Sequence, residues 1–599
     1  MKSLPSFWVG FAAVAGLWST VQEAAATNNN RTTVVEWDEH SLFINQQRIF
    51  ILSAEFHPWR QPNPDLWPDI FEKIKDNGFN TVSFYTHWAL HMPVNGTIDA
   101  EVGTYRDNER FIKAAKDAGL WLIARPGPYI NGETTGGGIP AWASSVAGTM
   151  RTNNENYTSA WMPYMKYMTE LIRKHQITEG GNIILVQAEN EFSPSTTKSP
   201  YMQAIVDLYR QGGIVVRKSS SVLDTYASFS SSGFDSVKQL PTTTNTQDKP
   251  DISPPELGKG KLISIGTSRW NQVQQIYYQY HKAVAPSNPL CLAEFGGGWL
   301  LGWGGKPRGG VGYDVFTNDL DNADYENVFY KTNYAQTTTI LSIYMLYGGT
   351  NWGNTFEPTV YSSYDYGGGI NENRIVTTKM PEMRMQGLFL RVSRDLLGAN
   401  LISNGTSYTS SNLIYTTELY NQITDARFYV LRHNDATSTA LNTFTLNVQT
   451  SKGALAIPQS GTLALNGREA KIVPTDYVFG KSQTRVLYST AEIMTWTTID
   501  DVDYLVLYAG KGQTGETALV LPTAPQVDLH GFTTVQSTYN STAGILYLNY
   551  ALSGSSFVSV GSSLMIAIME TSVALTWHAP VIAGQGVHGN FYGIGSNDT

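Results

Sequence analysis

Two glutamates, Glu191 and Glu294, have the setting in this chain that best suits chemistry. Glu191 lies near the end of Ile184-Leu185-Val186-Gln187-Ala188-Glu189-Asn190-Glu191-Phe192, an apolar run that ends abruptly in Asn-Glu. Glu294 stands in a similar place in Leu290-Cys291-Leu292-Ala293-Glu294-Phe295-Gly296-Gly297, roughly a hundred residues later. Each segment reads as a buried strand delivering a carboxylate at its C-terminal end, which is where α/β barrels keep their chemistry. Two carboxyl groups about 5–5.5 Å apart can cleave a glycosidic bond with retention: one protonates the leaving oxygen and the other attacks the anomeric carbon. Glu191 is the candidate acid/base and Glu294 the candidate nucleophile. Asn190, beside the acid, suits a hydrogen bond to the sugar 2-hydroxyl. Either glutamate alone reads better as a solvated strand-end residue. The pairing is what favours chemistry.

Such carboxylates need a scaffold, and strands and helices alternate over residues 34–399. Strand-like runs fall at residues 49–56, 81–85, 121–124, 183–188, 262–265, 290–293 and 340–346. Helical runs lie between them at 65–76, 108–118, 160–175, 201–212 and 273–285, and a last one follows at 381–397. Asp76-Asn77-Gly78 and Ala118-Gly119 are helix stops followed directly by strands, the connection of a parallel sheet. The pattern predicts an N-terminal (β/α)8 barrel that is irregular around its fifth strand, where residues 215–261 are rich in Ser, Thr and Pro. One strand is expected there near 223–227. After residue 400, short alternating runs at 426–432, 443–448, 504–508, 544–550 and 563–568 predict all-β, sandwich-like structure. We expect two such domains, 400–500 and 501–599, the second cut short.

Other strand ends are also polar and aromatic. Arg125-Pro126-Gly127-Pro128-Tyr129-Ile130-Asn131-Gly132-Glu133 offers amide and carboxylate groups for sugar hydroxyls, or is an ordinary turn. Tyr85 ends another strand and either bonds the sugar or caps the barrel. Gly348-Gly349-Thr350-Asn351-Trp352-Gly353 lets backbone approach a ligand closely, or is a buried hairpin. No Gly-x-Ser-x-Gly elbow, P-loop or His-Glu-x-x-His is present, and the His spacing suits no metal. Asp319-Leu320-Asp321-Asn322-Ala323-Asp324 lacks the Gly and terminal Glu of a calcium loop and reads as a solvated loop. No metal or cofactor is expected.

The composition, 42% hydrophobic and 15% charged over 599 residues, is that of a multidomain globular protein. A net charge of −9 argues against nucleic acid or an anionic membrane as partner. Lys2, the apolar stretch 7–18 and Ala24-Ala25-Ala26 resemble a secretory signal peptide over residues 1–26. Sequons at Asn30, Asn95, Asn156, Asn404, Asn540 and Asn597 fit a secreted, extracellular glycoprotein. The single cysteine, Cys291, allows no intrachain disulfide and reads as a core residue.

Taken together, these residues resemble glycoside hydrolase family 35, specifically its large secreted fungal β-galactosidases. The matching stretches include residues 53–60, 71–75, 82–85, 125–133 with 136–138, 187–192, Glu294-Phe295 with Gly297-Gly298, 348–354, 363–367 and Glu372-Asn373-Arg374. Trp577-His578-Ala579-Pro580-Val581 is the best late match. The resemblance implies a TIM barrel followed by β domains, and retaining exo-cleavage of terminal β-galactosyl groups from oligo- and polysaccharides. It implies Glu191 as acid/base, Glu294 as nucleophile, and Tyr85, Asn131, Glu133, Asn190, Tyr344 and Tyr366 as galactose contacts. Gly132, where the family usually has Ala, contributes backbone only. The chain departs from the family in a shortened stretch after Gly213-Ile214-Val215-Val216, in its unpaired cysteine and in lacking the C-terminal jelly-roll modules. A galactoside-binding protein with impaired catalysis and a barrel glycosidase for another terminal sugar are the alternatives. We expect a monomer acting on β-galactoside oligosaccharides or plant cell-wall polysaccharides.

Overall fold

The computed structural model of the chain describes residues 34–192, 199–215, 273, 277–284, 286–303, 312–358, 360–531 and 534–578. A small antiparallel sheet of β1 (Val35–Trp37), β2 (Leu42–Ile44) and β3 (Gln47–Ile49) leads in. The barrel strands follow: β4 (Ile51–Glu55), β5 (Thr81–Tyr85), β6 (Trp121–Arg125), β7 (Ile183–Val186), β8 (Leu290–Gly296) and β9 (Thr338–Tyr344). Helices α1 (Trp67–Asp76), α2 (Asn108–Asp117) and α3 (Glu155–His175) connect successive strands, with α4 (Ser199–Gln211) and α5 (Tyr277–Val284) between β7 and β8. Helix α6 (Met380–Val392) follows the last strand. Gly78 and Gly119 end α1 and α2 in left-handed backbone (φ +88° and +70°), as the helix stops predicted.

All pairings among β4–β9 are parallel, in the order β7-β6-β5-β4-β9-β8. Their residues are buried almost without alternation, because a parallel sheet is covered on both faces. The first strand lies between the second and the last, which is the cyclic order of a barrel. Curvature gives the same answer. In a flat sheet the outer strands β7 and β8 would lie about 24 Å apart, five spacings of roughly 4.8 Å. Yet the Tyr85 hydroxyl bonds both Asn190, just beyond β7, at 2.6 Å and Glu294 of β8 at 2.7 Å. The N-terminal part is a TIM barrel. The strands expected at 223–227 and 262–265 lie outside the described residues.

Three details differ from the sequence reading. Helix α3 begins at Glu155 rather than 160, because the Asn154 side chain accepts from the N–H groups of Asn156 and Tyr157. The acidic stretch at 319–324 is no solvated loop: Asp321 is fully buried and Asn322 caps a helical turn. The boundary at 500/501 falls in the turn of a hairpin between strands Glu492–Ile499 and Val502–Ala509. An eight-stranded antiparallel sheet runs from Asn400–Gly405 to Thr514–Val520, Ile545–Ala551 and Thr534–Asn540, so it takes strands from both sides of that boundary. A five-stranded sheet takes the hairpin together with Leu564–Glu570, Ser555–Val560 and Val527–Gly531. The two sheets are interleaved along the chain rather than consecutive.

The all-β part packs on the barrel through α6, which lies on strand Glu492–Ile499. Lys331, almost wholly buried, donates to both Glu492 carboxylate oxygens at 2.8 and 3.0 Å and to the Ala470 carbonyl at 2.8 Å.

Buried neutral histidines give the fold a pH dependence. His91 Nε2 accepts from Asn108 Nδ2 at 3.0 Å, so its Nδ1–H donates to the Asp99 carbonyl at 3.1 Å. Burial lowers its pKa to about 4. Between about 6.5 and about 4 the unfolded chain takes up a proton that the folded chain refuses, so the stability His91 contributes above 6.5 is lost as pH falls. We predict that His91→Gln flattens the fall of Tm over this window. Parallel Tm–pH curves for variant and parent would refute it.

Candidate active site

The mouth of the barrel is assembled from strand ends. Glu55 ends β4, Tyr85 ends β5, Arg125 ends β6, Glu189-Asn190-Glu191 follow β7, Glu294 lies on β8 and Tyr344 ends β9. Glu294 Oε1 accepts from the Tyr85 hydroxyl at 2.7 Å and from Arg125 Nη2. The Tyr85 hydroxyl pKa is pushed well above its ordinary value by burial, with the Glu294 and Glu55 charges adding, so it stays protonated. Asn190 Oδ1 lies 2.6 Å from the Tyr85 hydroxyl oxygen and accepts from Gln187 at 3.1 Å, while its Nδ2 donates to the Ile130 carbonyl at 2.8 Å. The amide orientation beside Glu191 is thereby fixed. Half-buried Glu191 accepts at Oε2 from Asn131 Nδ2 at 3.2 Å.

The turn that carries Glu191 is strained and braced. Glu189 and Glu191 both adopt left-handed backbone, at φ +63° and +44°. Such conformations cost roughly 1–3 kcal/mol each and persist only where surroundings enforce them. The Glu189 carboxylate supplies the brace. It accepts from Arg151 Nε and Nη2 at 2.7 and 2.6 Å and from the Asn190 N–H at 2.6 Å. Burial raises the Glu189 pKa and Arg151 opposes that rise.

The opposite wall holds Glu133, whose Oε2 accepts from Tyr344 at 2.9 Å and from Tyr364. Arg60 lies over the Tyr364 ring at 3.6 Å and donates to the Gly132 carbonyl. Tyr366 packs against Tyr344 and Tyr364, with ring centres 5.4 and 5.3 Å apart. These tyrosines, with Trp59, Tyr85, Ile130 and Trp299, form one apolar cluster. The glycines serve this wall. A Cβ on Gly298 would meet the Tyr366 carbonyl at 1.7 Å, and one on Gly348 the Tyr364 carbonyl at 1.8 Å. Gly348 thus makes room for the chain's own backbone.

Of the residues expected from sequence, Tyr85, Asn131, Glu133, Asn190, Glu191, Glu294, Tyr344 and Tyr366 lie in this mouth. Gly132 contributes its carbonyl to Arg60. Sequence reasoning assigned no role to Glu55, Arg60, Arg125, Arg151, Glu189 or Tyr364. Arg125 carried a usable signal, since an arginine ending an apolar run must be paired if buried. Arg151 carried none, being one cation in the polar stretch Thr149-Met150-Arg151-Thr152. Residues 216–272, which hold most of the shortened stretch after Gly213, lie outside the described residues. Among the described residues no cluster of His, Cys, Asp and Glu is arranged to hold a metal ion.

The profile of "Glycosyl hydrolases family 35" matches residues 41–388, and that of "Beta-galactosidase, domain 2" matches residues 396–577. The chain belongs to glycosyl hydrolase family 35. "Probable beta-galactosidase C" of Aspergillus flavus is 37% identical over 567 residues, covering 93% of this chain and 55% of the relative. "Probable beta-galactosidase B" of Aspergillus niger is 36% identical, covering 95% and 56%. The chain thus spans about half the length of these curated relatives. Among solved structures, a family 39 glycoside hydrolase from Bacteroides cellulosilyticus WH2 aligns with TM-score 0.42 and 12% identity, covering 71% of this chain and 80% of that one. A β-galactosidase from the psychrophilic Marinomonas ef1 aligns with TM-score 0.38 and 11% identity, covering 59% and 62%. In this family 35 chain the matched region contains both candidate glutamates and the whole mouth.

Removing the brace should be measurable without substrate. Arg151→Met would leave the buried Glu189 carboxylate without its cation, and we predict a loss of about 2 kcal/mol. Urea unfolding tests this; an unchanged midpoint would mean that the ion pair contributes nothing net.

Proposed function

We propose that the chain is a retaining exo-β-galactosidase that releases terminal non-reducing β-D-galactosyl groups from oligo- and polysaccharides. The observation that carries this is the convergence of Asn190, beside Glu191, and Glu294 on one tyrosine hydroxyl, Tyr85, in a family 35 barrel. The names of the relatives supply the sugar.

In this reading Glu191, as the acid, protonates the glycosidic oxygen while Glu294 attacks the anomeric carbon. A galactosyl ester forms on Glu294 and the aglycone leaves with the proton. Glu191, now a carboxylate, takes a proton from water, which displaces Glu294 and releases galactose with its configuration retained. Arg125 and Tyr85 hold Glu294 Oε1 and thereby fix the attacking carboxylate. Asn131, Asn190 and Glu133 meet sugar hydroxyls, and Tyr85, Tyr344 and Tyr366 wall the galactose. Gly132 contributes backbone. No metal or cofactor is needed for these steps.

We further propose that the protein is secreted, monomeric and glycosylated, and that it acts on β-galactoside oligosaccharides or plant cell-wall polysaccharides. Four sequon asparagines, Asn95, Asn156, Asn404 and Asn540, are exposed, which suits glycan attachment. Asn30, Asn597 and the signal-like residues 1–26 lie outside the described residues. Among the described residues no helix is long and apolar enough to cross a membrane.

Purified protein should release nitrophenol from the β-galactoside with retention, read by NMR of the first-formed anomer. Glu294→Gln should abolish turnover while the protein still melts cooperatively. Glu191→Gln should lose most activity on lactose and less on the nitrophenyl substrate, whose leaving group needs little protonation. An active Glu294→Gln protein would sink the assignment. Galactose binding without turnover would favour a binding protein, and turnover of another nitrophenyl sugar would move the specificity. Gly298→Ala should cut turnover roughly 100-fold, the scale of a 1 Å misplacement, by displacing Tyr366. Unchanged kinetics would show that the position of Tyr366 does not limit turnover.

A further inference from the structure

Glu55 has no part in the chemistry above, yet it sits fully buried at the mouth end of β4. Its Oε1 accepts from Arg125 Nη1 at 2.6 Å, and Ser342 Oγ of β9 reaches Oε2 at 3.5 Å. The same guanidinium donates through Nη2 to Glu294 Oε1. One cation thus serves two carboxylates. A shared cation stabilises each anion less than it would stabilise one alone.

We propose that Glu55 is a positioning residue that keeps Glu294 basic and nucleophilic by holding part of the Arg125 charge away from it. This rests on Glu294 being the nucleophile. With Glu55 ionised, Glu55 and Arg125 together are close to neutral, and Glu294 faces little net positive charge. With Glu55 uncharged, the whole guanidinium charge falls on Glu294. Its carboxylate is then a weaker base and a weaker nucleophile.

Other titratable groups share the mouth: Glu191 accepts from Asn131, and Glu133 accepts from Tyr344 and Tyr364. His57 Nε2 lies 3.9 Å from Glu55 Oε1, but burial, with the Arg60 and Arg125 charges, holds that imidazole neutral. Tyr85 faces both carboxylates, while Tyr344 and Tyr366 face Glu294 and Glu133, and burial keeps all three hydroxyls protonated. Burial pushes the Cys291 thiol on β8 up to about 12. For Glu55 itself, burial raises the pKa and Arg125 opposes the rise. The carboxylate across the guanidinium from Glu294 is Glu55.

The test is a carboxyl titration by NMR on protein labelled with 13C at the glutamate side-chain carboxyl, with Glu294→Gln assigning the signal. In Glu55→Gln the Glu294 midpoint should fall by roughly one pH unit. The acid limb of kcat/KM on the nitrophenyl β-galactoside should fall with it, and hydrolysis of lactose should slow. Glu55→Asp keeps the charge but withdraws it by one methylene, so it should shift the midpoint less, in the same direction. It also provides the test should Glu55→Gln not fold. A Glu294 midpoint unchanged in every variant that melts cooperatively overturns the proposal, even if activity falls, because a purely structural residue would lower activity without moving the titration. A parent protein inactive on the galactoside would instead overturn the proposed function, and the titration would still decide the role of Glu55.

Discussion

The mouth of this barrel depends on a buried guanidinium. Arg125 reaches Glu55 on β4, Gln187 and Asn190 beyond β7, and Glu294 on β8, so one side chain ties together four strand ends. Taking such charges out of water is expensive, and the loss is offset only where every donor and acceptor is well placed. Here five carboxylates (Glu55, Glu133, Glu189, Glu191 and Glu294) crowd one cavity end, and Arg60, Arg125 and Arg151 stand among them. The left-handed turns at Glu189 and Glu191 belong to the same economy of forces: Arg151 holds Glu189, and Glu189 holds the Asn190 N–H. Strain at the turn and charge beneath it are parts of one arrangement.

Much of this was legible in the sequence, for physical reasons. Parallel strands buried on both faces leave apolar runs, so β4–β9 stood out, as did the carboxylates where those runs end. The helix stops at Gly78 and Gly119 followed from the left-handed backbone that only glycine adopts freely. What could not be read was partnership. Glu189 and Glu191 sit two residues apart with the same side chain, yet one is clamped by Arg151 and the other turned toward Asn131. Nothing local in the sequence separates them, because their partners come from loops about 40 and 60 residues away. The same limit applies to the all-β part. Strand runs were visible, but their assignment to two interleaved sheets depends on pairings between residues far apart in sequence.

The union of barrel and sheets also rests on long-range charge. Lys331 leaves the barrel side and is received by Glu492 and the Ala470 carbonyl, and Arg384 of α6 donates to the Leu575 carbonyl. Arg384 also donates to Asn77 Oδ1 on the barrel side at 3.1 Å, so it ties the two layers together. Separating the layers would break these hydrogen bonds and expose the apolar surface between α6 and strand Glu492–Ile499. The two parts are therefore expected to melt as one unit, although the chain enters the second only after completing the first.

The contacts at Gly298 and Gly348 bear on how the specificity of this scaffold could change. Where two backbones touch with no room for a methyl group, neither can move without the other. The loop bearing Tyr364 and Tyr366 is thus keyed to the strands that carry Glu294 and Tyr344. Exchanging that loop for a longer or shorter one would unseat β8, which carries Glu294, along with the tyrosine wall. Reshaping the mouth is open to single side-chain changes at the wall but closed to loop grafting, so this part of the barrel should respond to point substitution rather than to recombination.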